Sequence, residues 1–169
     1  NNPTYIRLYT ERVGHYYDYT GWTGFGMENN GFDGISVKGG AKYDFSIFLR
    51  NIGKSAKQVR IALIQPMGWG KDPKLLAEHT FEVDNADWKK YEAELTPSSD
   101  CANAALYVLM LTKGNMDMDM LSLVPQDTYK GHGLRKDLVQ VLADLKPKFM
   151  RFPGGCVVHG GGDGFWNTY

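Results

Sequence analysis

The residues of this sequence that could act as nucleophiles, bases or metal ligands are scattered. Cys156 and His159 stand three positions apart, and a thiolate nucleophile needs an imidazole base within hydrogen-bond reach. In an extended chain this offset places the two side chains on opposite faces, which disfavours a catalytic pair. The other histidines lack the i, i+4 spacing of a metal site on a helix. These spacings therefore predict neither cysteine catalysis nor a histidine-bound metal.

Asp117 and Asp119 alternate with methionines in MDMDM, so a strand here would carry both carboxylates on one face. Carboxylate oxygens are ligands that calcium prefers, and a structural calcium ion is one interpretation of the pair. A pair that faces water is the alternative, and the sequence favours it. The glycine clusters MGWGKDP and GGCVVHGGGDG lack the spacing and context of nucleotide-binding loops. We therefore expect no required cofactor, with calcium as the single optional ion.

Aromatic residues are the stronger candidates for ligand contact. They make up 13% of the chain, and their flat apolar faces can stack on sugar rings while nearby polar groups bond to hydroxyls. Tyr19 and Trp22 in GHYYDYTGWTGFG, and Trp69 in the loop PMGWGKDP, are predicted sugar contacts. Trp88 in ADWKKY is predicted to be a core or turn residue, because many aromatic residues of a sandwich fill its core.

Strand patterns dominate the elements that must position these residues. The segment FDGISVKGGAKYDFSIFLRN predicts two strands around a turn at residues 38–40, and its apolar residues alternate at Tyr43, Phe45, Ile47 and Leu49. The near-continuous apolar run NAALYVLMLTKG fits a strand that is covered on both faces. Several short strands without an intervening helix predict an antiparallel β-sandwich over residues 1–125.

The period of the apolar residues changes in the second unit, residues 126–169. Apolar residues at helical spacing predict one helix that follows Gly133 and closes at Pro147; they are Leu134, Leu138, Val141, Leu142 and Leu145. The segment KFMRFPGG then predicts a short strand that Pro153 ends. A helix and a strand after a complete sandwich indicate the beginning of a different domain.

Composition excludes several classes of function. The chain has 169 residues, with 19 basic and 19 acidic residues, so no excess of positive charge predicts a nucleic-acid partner. No apolar run approaches the ~20 residues of a membrane span. Cys101 and Cys156 fall in different predicted units, which disfavours a disulfide bond.

Four segments together resemble the α-L-arabinofuranosidases of glycoside hydrolase family 51. They are NNGFDGISVKGGAKYDFSIFLRN, DWKKYEAELTP, MDMLSLVPQDTYKG and GLRKDLVQVLADLKPKFMRFPGGCVV. The resemblance covers residues 29–158 and is most specific over residues 134–158. It implies a jelly roll of the galactose-binding type, similar to a carbohydrate-binding module, followed by the first helix and strand of a truncated (β/α)₈ barrel.

The same resemblance implies a retaining glycosidase that removes terminal α-L-arabinofuranosyl groups from plant polysaccharides. Arg151 would lie at the carboxyl end of the first barrel strand, where barrels place substrate-facing residues. Gly154, Gly155 and Cys156 would line the sugar site in the turn that follows. His159 departs from the acidic residue expected at its position.

The resemblance leaves no catalytic residue in this chain. A retaining mechanism needs two carboxyl groups about 5 Å apart, and the two family glutamates map beyond Tyr169. We therefore expect the chain alone to be inactive, with the barrel of the same polypeptide and an arabinose-containing polysaccharide as its partners. A stand-alone carbohydrate-binding module and a purely structural sandwich are the alternatives. A secreted or periplasmic location is expected.

Overall fold

The computed structural model describes residues 4–13, 24–68 and 71–149. Nine strands and one α-helix lie in this part of the chain, together with a short 3₁₀ helix at Tyr129–Gly131. The strands are Ile6–Thr10 (β1), Phe25–Asn29 (β2), Ile35–Val37 (β3), Tyr43–Ile52 (β4), Lys57–Gln65 (β5), Lys74–Val83 (β6), Lys89–Leu95 (β7), Cys101–Met110 (β8) and Gly114–Pro125 (β9). The helix is Lys136–Asp144 (α1). This order confirms a mainly β chain that ends in a helix.

The strands form two antiparallel sheets that pack face to face. One sheet has the order β1-β9-β4-β7, and the other has the order β2-β8-β5-β6, with β3 also paired to β8. A single cluster of buried apolar residues draws from both sheets, for example Ile47 and Leu49 from the first, and Ile61 and Val108 from the second. This shared core confirms the predicted antiparallel β-sandwich.

Strict alternation explains why β4 lies at the centre of this arrangement. Tyr43, Phe45, Ile47 and Leu49 are buried, whereas the residues between them face outward. Because side chains of a strand point alternately to its two faces, one face of β4 lines the core and the other forms the outer surface of the four-stranded sheet. The predicted core pattern of this strand is confirmed.

The two strands predicted around the turn at residues 38–40 are present, but they do not form a hairpin. Strand β3 pairs with β8, and β4 pairs with β7 and β9 in the other sheet. The turn is anchored instead to the loop before β8: the Gly39 amide donates to an Asp100 carboxylate oxygen at 2.7 Å, and the Gly40 amide donates to the Pro97 carbonyl at 2.8 Å. This connection therefore crosses between the sheets.

Helix α1 differs from the strands because none of its residues is buried. The apolar residues that predicted the helix lie more than half exposed; they are Leu134, Leu138, Val141, Leu142 and Leu145. An amphipathic helix normally derives its stability from packing its apolar stripe on a core. In the described part of the chain this stripe faces solvent.

No helix among the described residues has both the length and the apolar character to cross a membrane.

Hydrogen bonds fasten the segment between β9 and α1 to the sandwich. The Gln126 amide donates to the Lys42 carbonyl at 2.9 Å. Further along, Thr128 forms an isolated antiparallel bridge with Arg135, and Lys136 forms an ion pair with Asp127 at 3.1 Å. The segment is therefore held to the four-stranded sheet at Gln126, and its remaining bonds are internal.

Candidate functional site

Most of the predicted site residues lie outside the described residues. This applies to the predicted sugar contacts Tyr19, Trp22 and Trp69, and to the predicted barrel residues Arg151, Gly154, Gly155 and Cys156. The proposed first barrel strand also lies largely in that part of the chain. These assignments therefore stay predictions. The charged and aromatic side chains that the structure does bring together lie on the outer face of the four-stranded sheet.

Three charged residues lie side by side across this face. Strand register places Arg7 of β1 and Arg50 of β4 on either side of Asp117 of β9. The Nε and Nη2 atoms of Arg7 donate to the two carboxylate oxygens of Asp117 at 2.6 and 3.0 Å. The same two atoms of Arg50 donate to Asp117 Oδ2 at 3.0 and 2.6 Å. One carboxylate thus joins three strands through charge-assisted hydrogen bonds.

Asp117 is fully buried beneath the two guanidinium groups. Burial by itself opposes ionisation and would raise the pKa of this carboxyl group. The hydrogen bonds and positive charges of Arg7 and Arg50 outweigh that effect, and the pKa of Asp117 is lowered from its ordinary value. Asp117 is therefore a permanent carboxylate at neutral pH, with its oxygens engaged by arginine.

Two aromatic rings cover the exposed side of these arginines. The rings of Tyr5 and Trp88 meet edge to face, with centroids 5.7 Å apart. The guanidinium carbon of Arg50 lies 4.7 Å from the Trp88 centroid and 5.2 Å from that of Tyr5, which is the range of cation–π contacts. We call Tyr5, Arg7, Arg50, Trp88 and Asp117 the arginine–aromatic cluster.

Trp88 agrees with the sequence prediction of a core or turn residue, since it lies in the turn between β6 and β7. Trp88 is 37% exposed on the outer face, so it also presents aromatic surface to solvent. The sequence does not predict this position, because the arginine that holds the ring comes from β4, far away in the chain.

Asp119 has surroundings very different from those of Asp117. It is only partly buried, and its Oδ1 accepts a hydrogen bond from the Met120 amide at 2.8 Å. Met120 has a φ of 53°, and the pairing between β4 and β9 shifts register beside it. This β-bulge separates the two halves of β9. In the part of the chain that the structure describes, no group of three acidic, histidine or cysteine residues is placed to hold a metal ion.

Calcium binding by Asp117 and Asp119 stays a prediction. Because Arg7 and Arg50 already bond to Asp117, we expect calcium to have little effect on stability. A calcium ion would have to replace the hydrogen bonds that Arg7 and Arg50 make to Asp117, and it would meet two positive charges there. We expect millimolar Ca²⁺ and excess EDTA to give melting temperatures within about 1 °C of each other. A calcium-dependent rise of several degrees that is lost in Asp119→Asn would contradict this expectation.

A shallow groove lies beside the cluster on the same face. Its floor is formed by Ser46 of β4 and its cross-strand partner Ser122 of β9, and Glu92 of β7 lies opposite Ser46 on the other side. The groove encloses about 470 Å³, and its other outward-facing side chains are Asp44, Lys90 and Val124. We call this depression the polar groove.

Two carboxylates meet at one end of the polar groove, but they do not form a glycosidase pair. Asp44 and Glu94 are cross-strand partners, and the side-chain amide of Gln126 donates to both, at 2.8 and 3.0 Å. Hydrogen bonds from Lys42 and Gln126 lower the pKa of Glu94 below its ordinary value. A general acid needs a raised pKa, so this pair serves to hold Gln126 rather than to transfer protons.

Comparison with known proteins gives the family. The chain is 35% identical over 137 residues to α-L-arabinofuranosidase 1 of Arabidopsis thaliana, and 37% identical over 141 residues to an extracellular exo-α-L-arabinofuranosidase of Streptomyces chartreusis. These matches cover 81% and 82% of the chain. The structure of arabinose-bound MgGH51 α-L-arabinofuranosidase superposes on 79% of the chain with a TM-score of 0.66 and 28% identity. The chain is homologous to the N-terminal region of family 51 α-L-arabinofuranosidases.

The match to this arabinofuranosidase family is partial on the relatives' side. The chain spans about a fifth of the length of these curated arabinofuranosidases, 20% for the Arabidopsis protein and 16% for the Streptomyces protein. No model of a protein family matches the chain. The resemblance inferred from sequence is confirmed, and it concerns the β-sandwich region of an arabinofuranosidase.

Sequence reasoning missed the residues that the structure brings together on the outer face. Arg7, Arg50 and Ser46 contribute to the cluster and the groove, yet their partners lie far away in sequence. One signal was available: Arg50 and Ser46 occupy outward positions of a strand whose alternation was already evident. Outward polar residues of a predicted strand mark its solvent face, and a site on that face can be sought among them.

Proposed function

We propose that this chain is the non-catalytic β-sandwich portion of a retaining α-L-arabinofuranosidase, joined through α1 to a catalytic (β/α)₈ barrel in the same polypeptide. The observation that carries the proposal is the similarity to arabinofuranosidases over four fifths of the chain, together with the TM-score of 0.66 to a family 51 structure. The substrate would be terminal α-L-arabinofuranosyl groups of plant polysaccharides.

The exposed apolar stripe of α1 supports the link to a further domain. Leu138, Val141 and Leu142 are each more than half exposed, and burying one such side chain contributes about 1.5–3 kcal/mol. A contiguous apolar stripe of this kind commonly marks a protein interface. A barrel that follows α1 in the chain would be the nearest surface available to cover the stripe.

Secretion is part of the proposal. Support comes from the Streptomyces relative, which is named an extracellular enzyme. Gln126, which follows β9, is held to the sandwich by hydrogen bonds with Lys42, Asp44 and Glu94, and this attachment supports a fixed orientation between the sandwich and the barrel.

The test compares two polypeptides on a synthetic arabinofuranoside such as 4-nitrophenyl α-L-arabinofuranoside. We expect the 169-residue chain to release no nitrophenol above the uncatalysed rate, because a retaining mechanism needs a carboxyl pair about 5 Å apart. We expect a polypeptide extended along its natural reading frame to hydrolyse the substrate. Release of nitrophenol by the 169-residue chain would contradict the non-catalytic role, and an inactive extended polypeptide would contradict the link to a barrel.

A further inference from the structure

We propose that the polar groove on the outer face of the four-stranded sheet binds a neutral oligosaccharide that lies along β4. The position of this binding site is inferred from the side chains of the four-stranded sheet. The class of sugar, a pentose-containing plant oligosaccharide, rests on the proposed function.

The shape of the groove follows from side-chain size. Ser46 and Ser122 are short residues opposite each other on adjacent strands, and longer side chains surround them, including Lys90 and Glu92. Short residues between long ones leave a depression in a sheet face, here about 470 Å³. That volume falls within the roughly 300–1,000 Å³ of typical small-molecule sites.

The polar groups of the groove suit a ligand rich in hydroxyls. Ser46 and Ser122 offer hydroxyls that can donate and accept, Asp44 and Glu92 accept, and Lys90 donates. Lys90 and Glu92 form an ion pair at 2.6 Å, so much of the charge is compensated within the groove. A polyanion would meet the carboxylates, whereas a neutral sugar can use donors and acceptors alike.

Aromatic surface continues the groove along β4. Phe48 is the next outward residue after Ser46, and Arg50 follows, with Trp88 stacked on its guanidinium group. Four residues of strand span about 14 Å, so the distance from Ser46 to the cluster exceeds a single sugar ring. An oligosaccharide could bond to the serines at one end and contact Phe48 and Trp88 towards the other.

A sugar explains this face better than a protein partner does. Cores of protein interfaces are depleted of charged residues, whereas this face carries the exposed ion pairs Lys42–Glu94 and Lys90–Glu92. The apolar stripe of α1 has the opposite character and offers the surface that a neighbouring domain would cover. We therefore assign the groove to a sugar and the stripe to the polypeptide.

The experiment is a titration of the ¹⁵N-labelled 169-residue chain with arabino- and xylo-oligosaccharides of two to five units, observed by amide NMR. We expect saturable shifts at the amides of Ser46, Glu92 and Ser122. Ser46→Trp fills the groove from an outward strand position, and we expect it to weaken binding at least tenfold, about 1.4 kcal/mol. Thr80→Trp is the matched control, because Thr80 lies on an exposed outward position of β6 in the other sheet. It should leave the affinity unchanged.

Several outcomes would overturn the proposal. These are an absence of shifts at millimolar oligosaccharide, shifts confined to other surfaces, and equal weakening by Ser46→Trp and Thr80→Trp. Chemical shifts of the Ser46 and Ser122 amides that already differ, without sugar, between the extended polypeptide and the 169-residue chain would assign the groove to domain docking instead. If Ser46→Trp does not fold, Ser122→Tyr fills the same groove from β9.

The result is separable from the test of the proposed function. Hydrolysis of a small nitrophenyl arabinofuranoside does not require a groove on the sandwich, so an active extended polypeptide that binds no oligosaccharide here would refute the groove alone. Oligosaccharide binding by a chain whose extended form is inactive would refute the proposed enzyme and leave the groove intact.

Discussion

Replacing Asp117 with asparagine is expected to lower the free energy of unfolding by about 3 kcal/mol. The substitution keeps the shape of the side chain, but it removes the charge that holds Arg7 and Arg50 and turns an amide donor towards one guanidinium group. Arg50 is 25% exposed, so its charge loses its partner in a site that water reaches only in part. Urea unfolding followed by tryptophan fluorescence measures the change.

The pH dependence of this effect has a definite sign. Because the pKa of Asp117 is lower in the folded chain than its ordinary value of about 3.9, its stabilisation is fully present above about pH 4. It is lost as the pH falls through the folded pKa, so the stability difference between the wild type and Asp117→Asn should shrink in strong acid. Asp119→Asn is the matched control, since Asp119 has no arginine partner among the described contacts, and it should cost under about 0.5 kcal/mol. Equal losses in the two variants would refute the buried role of Asp117.

Leu142→Ala is expected to act very differently in two polypeptides. In the 169-residue chain Leu142 is 54% exposed, so its truncation should change the free energy of unfolding by less than about 0.5 kcal/mol. If a barrel covers the apolar stripe of α1 in the extended polypeptide, the same truncation leaves a cavity and should cost about 3 kcal/mol. Urea unfolding of both polypeptides measures the two values.

The control for this comparison lies on the polar side of the same helix. Among the described residues, the Gln140 side chain donates to Asp144 of the same helix at 2.8 Å, so Gln140→Ala should have a small effect in both polypeptides. A small effect of Leu142→Ala in the extended polypeptide as well would mean that the stripe stays uncovered there. The proposed connection through α1 would then be wrong.

The elements of the fold that sequence predicts are those with a clear period. The alternation from Tyr43 to Leu49 and the helical spacing from Leu138 to Leu145 depend on neighbours within a few residues, and the structure has a strand and a helix there. The partner of a strand depends on distant residues. The turn at residues 38–40 therefore predicts a change of direction correctly, but it does not reveal that β3 pairs with β8.

The surroundings of Asp117 and Asp119 also depend on distant residues that a local sequence pattern does not show. MDMDM predicts two carboxylates on one face of a strand, and β9 does run through both. The two carboxylates differ in burial and partners because of tertiary structure. Asp117 lies between two arginines from other strands, whereas Asp119 lies beside the β-bulge at Met120. The calcium interpretation and the water-facing interpretation both treated the two carboxylates as equivalent, and neither anticipated that one of them would be buried in a double ion pair.

The pairing of β1 with β9 also has a consequence during synthesis. Arg7 binds a carboxylate 110 residues further along the chain, and ribosomes add about 5–20 residues per second. The first strand must therefore wait roughly 5–20 s for its partner at that rate of elongation. Throughout that time Tyr5, Ile6 and Tyr9 remain on an unpaired segment of the nascent chain. Slow elongation should thus prolong the interval in which chaperones or other nascent chains can bind this segment.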